Sequence, residues 1–313
     1  MDVHTHHWSP ASGWNVPLAA DTTSAQLVFS LGPVHAPPAS WFTALAAHAP
    51  KAQHVYASGG GQFHAGALTD EVTIVSFLTF SSTRVIPIVL DGVTREANAA
   101  LGATLGQRLS DVPGLRHVLL FAEDIAFNAD AFLDALNPGL PPGVRVSGGL
   151  ASNGTALTES VVGLNASPER HRLVAIGLAG DNLVVGTGSA GGWDNFGPQR
   201  VVTRAGIAAV HELDGERALD VYTRFLGAFA SELPGSALLF PLAVRRSREA
   251  PVAVRTVVGI DEARGTLFFA GDIPEGSLVR LMRTTPDKLA DGAAYPDAVL
   301  HNQTMIVTTL AER

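Results

Sequence analysis

Two segments in the first half of the chain follow the same order of local patterns, and this repeat constrains the fold more than any other feature. Each begins with an apolar strand pattern, continues with apolar residues at helical spacing, and returns as a second strand pattern that reaches Ser-Gly-Gly. Gly59 follows Phe29 by 30 positions in the first segment, and Gly148 follows Phe121 by 27 positions in the second. The pattern predicts two strand–helix–strand units, each ending in a glycine turn.

The rest of the chain suggests a second, different part. Segments 72–80 and 84–89 are predicted to form a hairpin-like strand pair, whereas the second half shows short strands joined by tight turns and an amphipathic helix over 216–229. We therefore predict a mixed α/β fold of two intertwined subdomains, the second rich in β-hairpins. A composition shift near residues 150–165 marks the boundary. The expected parts are a lead-in over 1–24, an α/β part over 25–160, a second part over 161–295 and a tail over 296–313.

The composition allows a large core and excludes several kinds of partner. Hydrophobic residues make up 46% of the 313 residues and charged residues only 16%, which is typical of a folded globular protein. The 21 basic and 29 acidic residues give a net charge of −8, which argues against nucleic acid or an anionic membrane as a partner. Because the chain has no cysteine, it can form no disulfide, thiolate nucleophile or metal–thiolate site. No apolar run approaches the roughly 18 residues of a membrane-spanning helix, and a cytoplasmic location is expected.

Four potential metal ligands crowd the amino terminus: Asp2, His4, His6 and His7. Histidines at alternate positions of a strand point the same way, as in metal-dependent hydrolases. Such enzymes need further ligands on later strands and eight strand–helix units, neither of which this sequence shows. We favour a solvated segment that takes no part in a site, with a metal-dependent hydrolase as the alternative.

The glycine-rich stretches match no catalytic or nucleotide-binding loop. Residues 186–191 have the wrong spacing for a nucleophile elbow, and residues 58–61 lack the lysine of a phosphate-binding loop and the spaced glycines of a dinucleotide site. The adjacent carboxylates Glu123 and Asp124 would face opposite sides of a strand and are expected in a solvated loop. No catalytic residue is predicted, and the chain is expected not to be an enzyme.

Two features after residue 187 have both a ligand-binding and a structural interpretation. The glycine-rich segment 188–198 places Trp193 where it can form an apolar wall beside a bound molecule, or else plug the end of a sheet. Arg200 and Arg204 lie four residues apart and would share a face of a strand. Their guanidinium groups can bind an anionic ligand or pair with neighbouring carboxylates.

The segment GGWDNFGPQRVVTR, residues 191–204, resembles the hallmark segment of the FIST sensory-domain family. Further similarity to the family follows in the same order and spacing over 211–227, 239–242, 255–261 and 269–282. In the first half, YASGGG (56–61) and VSGGLASN (146–153) are similar to the N-terminal part of the family. The resemblance covers residues from about 25 to about 295.

The resemblance implies an intracellular input domain for signal transduction that binds a small molecule such as an amino acid. Its partner would be a signalling protein such as a histidine kinase, a cyclic-di-GMP enzyme or a chemotaxis receptor. Some family members are thought to be haem-dependent nitric-oxide sensors, so a haem sensor is the alternative, with His211 as a candidate contact. Otherwise no cofactor and no metal is expected.

The chain departs from the family at two places. Relatives commonly have Ser-Thr-Ala-Gly-Glu-Ile where residues 58–63 read Ser-Gly-Gly-Gly-Gln-Phe, so Gln62 replaces a carboxylate. Relatives also commonly continue past the position of Arg313 with another strand–helix–strand unit, which is expected to lie outside this sequence or to be supplied by a partner.

The glycine segments and the polar residues near them form the predicted ligand site, because ligands bind beyond strand ends where backbone amides are exposed. The predicted ligand-binding residues are Ser58, Gly59, Gly60, Ser147, Gly148, Gly149, Asn153, Trp193 and Arg200.

Overall fold

The computed structural model describes residues 1–35, 37–64, 67–123, 127–153, 159–190, 192–233, 235–269, 271–285, 287–288 and 305–312. The chain divides into two compact units: unit 1 is Met1–Gly186 with Thr308–Arg313, and unit 2 is Thr187–Val307. The boundary therefore lies later than the expected position between residues 160 and 161. The end of the chain, Thr308–Arg313, returns to unit 1.

Unit 1 consists of strands with three α-helices. The helices are α1 (Ala39–His48), α2 (Asn98–Ser110) and α3 (Ala129–Leu136). The strands are β1 (Asp2–Ser9), β2 (Gly13–Trp14), β3 (Leu27–Gly32), β4 (Gln53–Ser58), β5 (Gln62–His64), β6 (Ala67–Thr69), β7 (Thr73–Thr79), β8 (Arg84–Asp91), β9 (Leu115–Glu123), β10 (Arg145–Ala151), β11 (Val162–Leu164) and β12 (Arg172–Ala179). They form a six-stranded sheet in the order β11-β4-β3-β7-β1-β2, a four-stranded sheet in the order β10-β9-β12-β8, and the small pair β5-β6.

The predicted internal repeat is present, and it is larger than the sequence pattern indicated. In both sheets a strand–helix–strand unit places two strands in parallel, β3 with β4 and β9 with β10. In the first sheet, β3 also pairs antiparallel with β7, and β7 pairs antiparallel with β1. In the second sheet, β9 pairs in the same way with β12, and β12 with β8. The repeated element is thus four strands and one helix.

This topology corrects two expectations. Strands β7 and β8 lie in different sheets, so the predicted hairpin between them is wrong. Residues 2–9, expected to be part of a lead-in, form β1 and pair with β7 from Asp2↔Thr79 to Trp8↔Thr73. The histidine-rich segment is therefore a regular strand of the first sheet.

The core of unit 1 has three layers of apolar contacts. Helix α1 packs Trp41 and Leu45 against one face of the six-stranded sheet, and α2 and α3 cover one face of the four-stranded sheet. The remaining faces of the two sheets pack on each other, where the rings of Phe29 and Phe121 lie 5.4 Å apart. Strand β12 is an almost continuous buried apolar run, as expected of a central strand covered on both faces.

The described elements of unit 2 are mainly hairpins, and the predicted amphipathic helix is present among them. Its elements are β14 (Asp194–Gly206), β15 (Ala209–Leu213), β16 (Glu216–Arg217), α4 (Ala218–Leu226), β17 (Leu242–Arg245), β18 (Ala253–Arg255), β19 (Val257–Asp261), β20 (Thr266–Phe269) and β21 (Leu278–Arg283). The sheet has the order β18-β17-β21-β14-β15-β20-β19, with β16 beside β15. The hairpin β19–β20 turns at Gly265, whose φ of +68° confirms the predicted glycine role.

Helix α4 packs on one face of this sheet through Val221, Tyr222 and Leu226. Two further strands, β13 (Leu183–Ala190) and β22 (Met305–Glu312), pair with each other in a sheet of their own. Among the described residues, no helix is both long enough and apolar enough to cross a membrane.

Candidate functional site

Ser58, the last residue of β4, joins three chain segments of unit 1. Its backbone oxygen accepts the N–H of Ser152 at 2.9 Å, and its own N–H donates to the oxygen of Val161 at 3.0 Å. The Ser58 hydroxyl oxygen accepts the N–H of Val161 at 3.1 Å. Ser58 is only 3% exposed. Its three hydrogen bonds hold the segments after β10 and before β11 at the end of β4.

The glycines after Ser58 form the predicted turn, and Gln62 lies beneath it. Gly59 donates its N–H to the oxygen of Gly32 at 2.9 Å, while Gly60 is exposed. Gln62 is 4% exposed, and its amide nitrogen reaches the oxygen of Gly59 at 3.5 Å. Its side-chain oxygen Oε1 is buried, and no described residue donates a hydrogen bond to it. A buried amide oxygen in this state costs about 1–3 kcal/mol, so it needs an explanation.

Asn153 lies at the same end of the sheet because it directly follows Ser152, which is bonded to Ser58. Its side chain is half-buried and makes no hydrogen bond within the described part of the chain. Four predicted site residues, Ser58, Gly59, Gly60 and Asn153, are therefore brought to one strand end.

The second glycine pair occupies a different place. Ser147, Gly148 and Gly149 lie within β10, which continues to Ala151, so the predicted turn at this position is wrong. The Ser147 hydroxyl is 2.7 Å from Nε2 of buried His117 on β9. Burial, together with the nearby positive charge of Arg145, lowers the pKa of His117. On an extended strand, Ser147 is roughly 16 Å from Ser152, so this pair is not at the strand end of Gly59.

The glycines of β10 have a structural cause. Gly148 has φ of +152°, and a Cβ atom there would lie 1.8 Å from the backbone oxygen of Leu120, its partner on β9. Glycine is therefore required for the close approach of the two strands. Gly149 is exposed, with open space around its Cα.

Trp193 and Arg200 belong to unit 2, where both have structural partners. Trp193 packs against Ala243, Val254 and Met282, although its buried indole nitrogen has no hydrogen-bond acceptor in the part of the chain that the structure describes. Arg200 donates to Asp214 at 3.0 Å. Both residues therefore make the structural contacts that the sequence left open as the alternative to ligand binding: apolar packing for Trp193 and a carboxylate partner for Arg200.

Arg204 is paired too, with Glu212 at 2.8 Å. The pairing of Arg200 and Arg204 with carboxylates on neighbouring elements is the alternative that the sequence had left open for both.

Comparison with protein-family models decides the family. The FIST N domain matches residues 26–216, and the FIST C domain matches residues 218–307. The chain belongs to the FIST family. FIST domains are sensory domains of signal transduction, and this coarse role applies to the chain.

Two other comparisons add little to the FIST assignment. No curated protein matches the chain. A crystal structure of a chorismatase aligns over 90% of this chain and 98% of its own, at 13% sequence identity and a TM-score of 0.27. A similarity this weak carries no argument about the FIST chain.

Gln62 is the residue that sequence reasoning undervalued. The FIST resemblance marked it only as the loss of a carboxylate, whereas the structure shows a buried side chain with an unsatisfied oxygen. The signal was present, since Gln62 stands where relatives carry glutamate. Glu123 was expected in a solvated loop, but it is 3% exposed at the end of β9 and accepts the N–H of His171 at 2.7 Å. Asp124 lies outside the described residues.

Two cavities among the described residues of unit 2 lack a histidine that could bind a haem iron. One is lined by apolar residues and Arg200, and the other by arginines, two amides and four apolar residues. His211 instead places Nδ1 at 2.9 Å from the hydroxyl of Thr266. No step through a haem follows from this arrangement.

The amino-terminal histidines have separate surroundings. His4 lies 3.3 Å from Asp21, whereas His6 is buried against the rings of Trp14 and Phe77. Burial and the neighbouring His4 lower the pKa of His6. In the ranges that the structure describes, no three histidine, aspartate or glutamate residues are grouped so as to hold a metal ion.

Proposed function

We propose that the chain is an intracellular input domain that binds a small polar ligand with an N–H donor, such as an amino acid, at the end of β4. Family membership supports the sensory role. The observation that carries the ligand proposal is the unsatisfied Oε1 of Gln62, buried beside the Gly59–Gly61 turn.

A ligand ammonium group would supply the donor that this oxygen lacks. Hydrogen bonds to charged groups contribute about 1.5–3 kcal/mol, more than those between neutral groups. The turn carries no side chains at Gly59, Gly60 and Gly61, which allows close approach of a small molecule. Asn153, at the same strand end, can serve the ligand as donor or acceptor.

Ligand binding at this position would shift a conformational equilibrium that a partner protein reads. Ser58 connects β4 to the segments after β10 and before β11, so a ligand at this end contacts both halves of the internal repeat. The proposed partner is a signalling protein such as a histidine kinase, a cyclic-di-GMP enzyme or a chemotaxis receptor. No enzymatic reaction is proposed for the chain.

Replacing Gln62 with methionine tests this site, since methionine keeps the volume and removes the amide. The free protein should gain about 1 kcal/mol in free energy of unfolding, because the unsatisfied buried oxygen disappears. At the same time, the rise in melting temperature caused by a bound amino acid should be lost. The measurement is a thermal-shift screen of the twenty amino acids with wild type and variant, in which any ligand of the native state raises the melting temperature.

Gln107→Met is the matched control, since Gln107 is exposed on α2. It should leave both the melting temperature and the ligand-induced shift unchanged. A Gln62→Met variant that is less stable than wild type, or that still responds fully to the amino acid, contradicts the role of Gln62. A wild-type protein that responds to no amino acid contradicts the proposed ligand class.

A further inference from the structure

A groove lies on the face of the unit 2 sheet opposite α4. It holds about 330 Å³ of water-accessible space, which is within the size range of small-molecule sites. Three arginines line it, Arg245, Arg248 and Arg280, and Ala243, Val252 and Leu278 supply apolar surface. All of these residues belong to unit 2.

The strand register explains why residues distant in sequence meet here. Arg280 on β21 is the partner of Ala243 on β17 and of Gln199 on β14. Arg245 lies two residues after Ala243 and therefore points to the same face of the sheet. The intervening residues face the other way and form the core beneath α4.

The three arginines of the groove differ from three other arginines of the unit. Arg200, Arg204 and Arg224 each contact a carboxylate within 3.0 Å. In contrast, Arg245, Arg248 and Arg280 are exposed and have no carboxylate partner among the described residues. Acidic residues outnumber basic ones by 29 to 21 in this chain, so three unpaired arginines on one groove are a local excess of positive charge.

Two of these side chains are already oriented by the backbone. Arg280 donates Nε–H to the oxygen of Gly197 at 2.8 Å, and Arg245 donates from Nη1 to the oxygen of Arg248 at 3.3 Å. Each guanidinium keeps further N–H groups for a ligand, in the planar fork that suits phosphate oxygens. Because these arginine side chains are oriented before a ligand arrives, less side-chain conformational entropy is lost when it binds.

We propose that this groove binds a small organic phosphate, with the phosphate groups on the three arginines and the organic part over Ala243, Val252 and Leu278. The site lies in unit 2 and is independent of the amino-acid site proposed at Gln62. A sensory chain with both sites would respond to two chemically different metabolites.

Isothermal titration calorimetry of the full chain with three probes tests the proposal: ATP, tripolyphosphate and citrate, all with EDTA present. ATP should bind tightest because it supplies both phosphates and an organic body. Tripolyphosphate should bind more weakly than ATP. Citrate should bind at least about tenfold more weakly than ATP, since its three separated carboxylates match the planar guanidinium groups of the arginines less well than phosphates do. Affinity for both phosphates should fall as salt is raised.

The double variant Arg245→Gln/Arg280→Gln should lose at least about tenfold in affinity for ATP, because two charge-assisted contacts disappear. The matched control is Arg204→Gln/Arg264→Gln, which removes the same charge at exposed ion pairs of the same unit and should change affinity less than about twofold. Equal melting temperatures verify that both variants fold.

Four results would overturn the proposal. Absence of binding by either phosphate rules out the site, and equal losses in the two double variants show a general charge effect. Citrate binding as tight as ATP identifies a carboxylate ligand instead. ATP binding no tighter than tripolyphosphate removes the role of the apolar surface.

Discussion

Replacing Gly148 with alanine is expected to destabilise unit 1 by more than about 3 kcal/mol, because backbone strain and a steric clash coincide there. The φ of +152° is unfavourable for any residue with a Cβ atom, and that atom would lie 1.8 Å from the oxygen of Leu120. Relief requires β10 to move away from β9, which breaks the parallel pairing from Arg145↔His117 to Ala151↔Glu123.

Gly149→Ala is the control, since it makes the same chemical change one residue later. Nothing lies within 4 Å of the added Cβ atom, and the residue is exposed. The free energy of unfolding should change by less than about 0.5 kcal/mol, as for most surface substitutions.

Urea denaturation followed by tryptophan fluorescence measures both variants. Three of the four tryptophans, Trp8, Trp14 and Trp41, lie together in unit 1. The ring centroid of Trp41 is 5.8 Å from that of Trp8 and 5.9 Å from that of Trp14. The signal therefore reports mainly on this unit. The midpoint should fall for Gly148→Ala at an unchanged m-value. Equal midpoints for the two variants would show that the glycines do not sit in the strand as described.

The repeat could be predicted in part because its local patterns are strong. Each unit, two apolar strands with an amphipathic helix between them, lies within about thirty consecutive residues, so its pattern can be recognised locally. The partners β7 and β12 were not predictable, because the choice between sheets depends on contacts far apart in the chain. Strand β12 shows this: its apolar run predicts burial, yet only the fold shows that it lies between β8 and β9 of unit 1.

The site was harder to predict than the fold. Ser-Gly-Gly is typical of a turn, which is correct after Ser58 and wrong at Ser147, where glycine serves the contact with Leu120. Burial of Gln62 and the meeting of Arg245 with Arg280 depend on tertiary structure and leave no local pattern. The ligand roles of Ser147, Gly148, Gly149, Trp193 and Arg200 remain predictions, as do those of the residues at the end of β4.

Glu312, at the end of β22, provides the second large effect. Its carboxylate accepts the backbone N–H groups of Ser81, Ser82 and Thr83 at 2.6, 3.0 and 2.7 Å, and the hydroxyl of Thr83 at 2.6 Å. The side chain is only 3% exposed. Burial opposes ionisation, but the hydrogen bonds from Thr83, Ser81 and Ser82 outweigh it and hold the pKa of Glu312 well below its ordinary value.

Glu312→Gln should lower the free energy of unfolding at pH 7 by at least about 2 kcal/mol. The amide keeps the shape but turns an N–H donor toward a set of backbone N–H donors, which leaves buried donors without acceptors. Urea denaturation at pH 7 measures the loss.

The pH dependence of that loss identifies its cause. The unfolded state takes up a proton on Glu312 near its ordinary pKa of about 4.3, whereas the folded state resists protonation. Stability from this group is therefore complete above about pH 5 and is lost as the pH falls through 4.3 toward the folded value. The wild type should lose stability on acidification more steeply than the variant, and the difference between them should shrink from pH 5 to pH 3.

Glu96→Gln is the control, because Glu96 is exposed and has no partner within the described ranges. It should match the wild type at every pH within about 0.5 kcal/mol. If Glu312→Gln instead shows the same loss at pH 3 as at pH 7, the carboxylate charge does not stabilise the fold. In that case the loss has a cause other than ionisation of Glu312, and the charge-assisted hydrogen bonds from Ser81–Thr83 are not what anchors the end of β22.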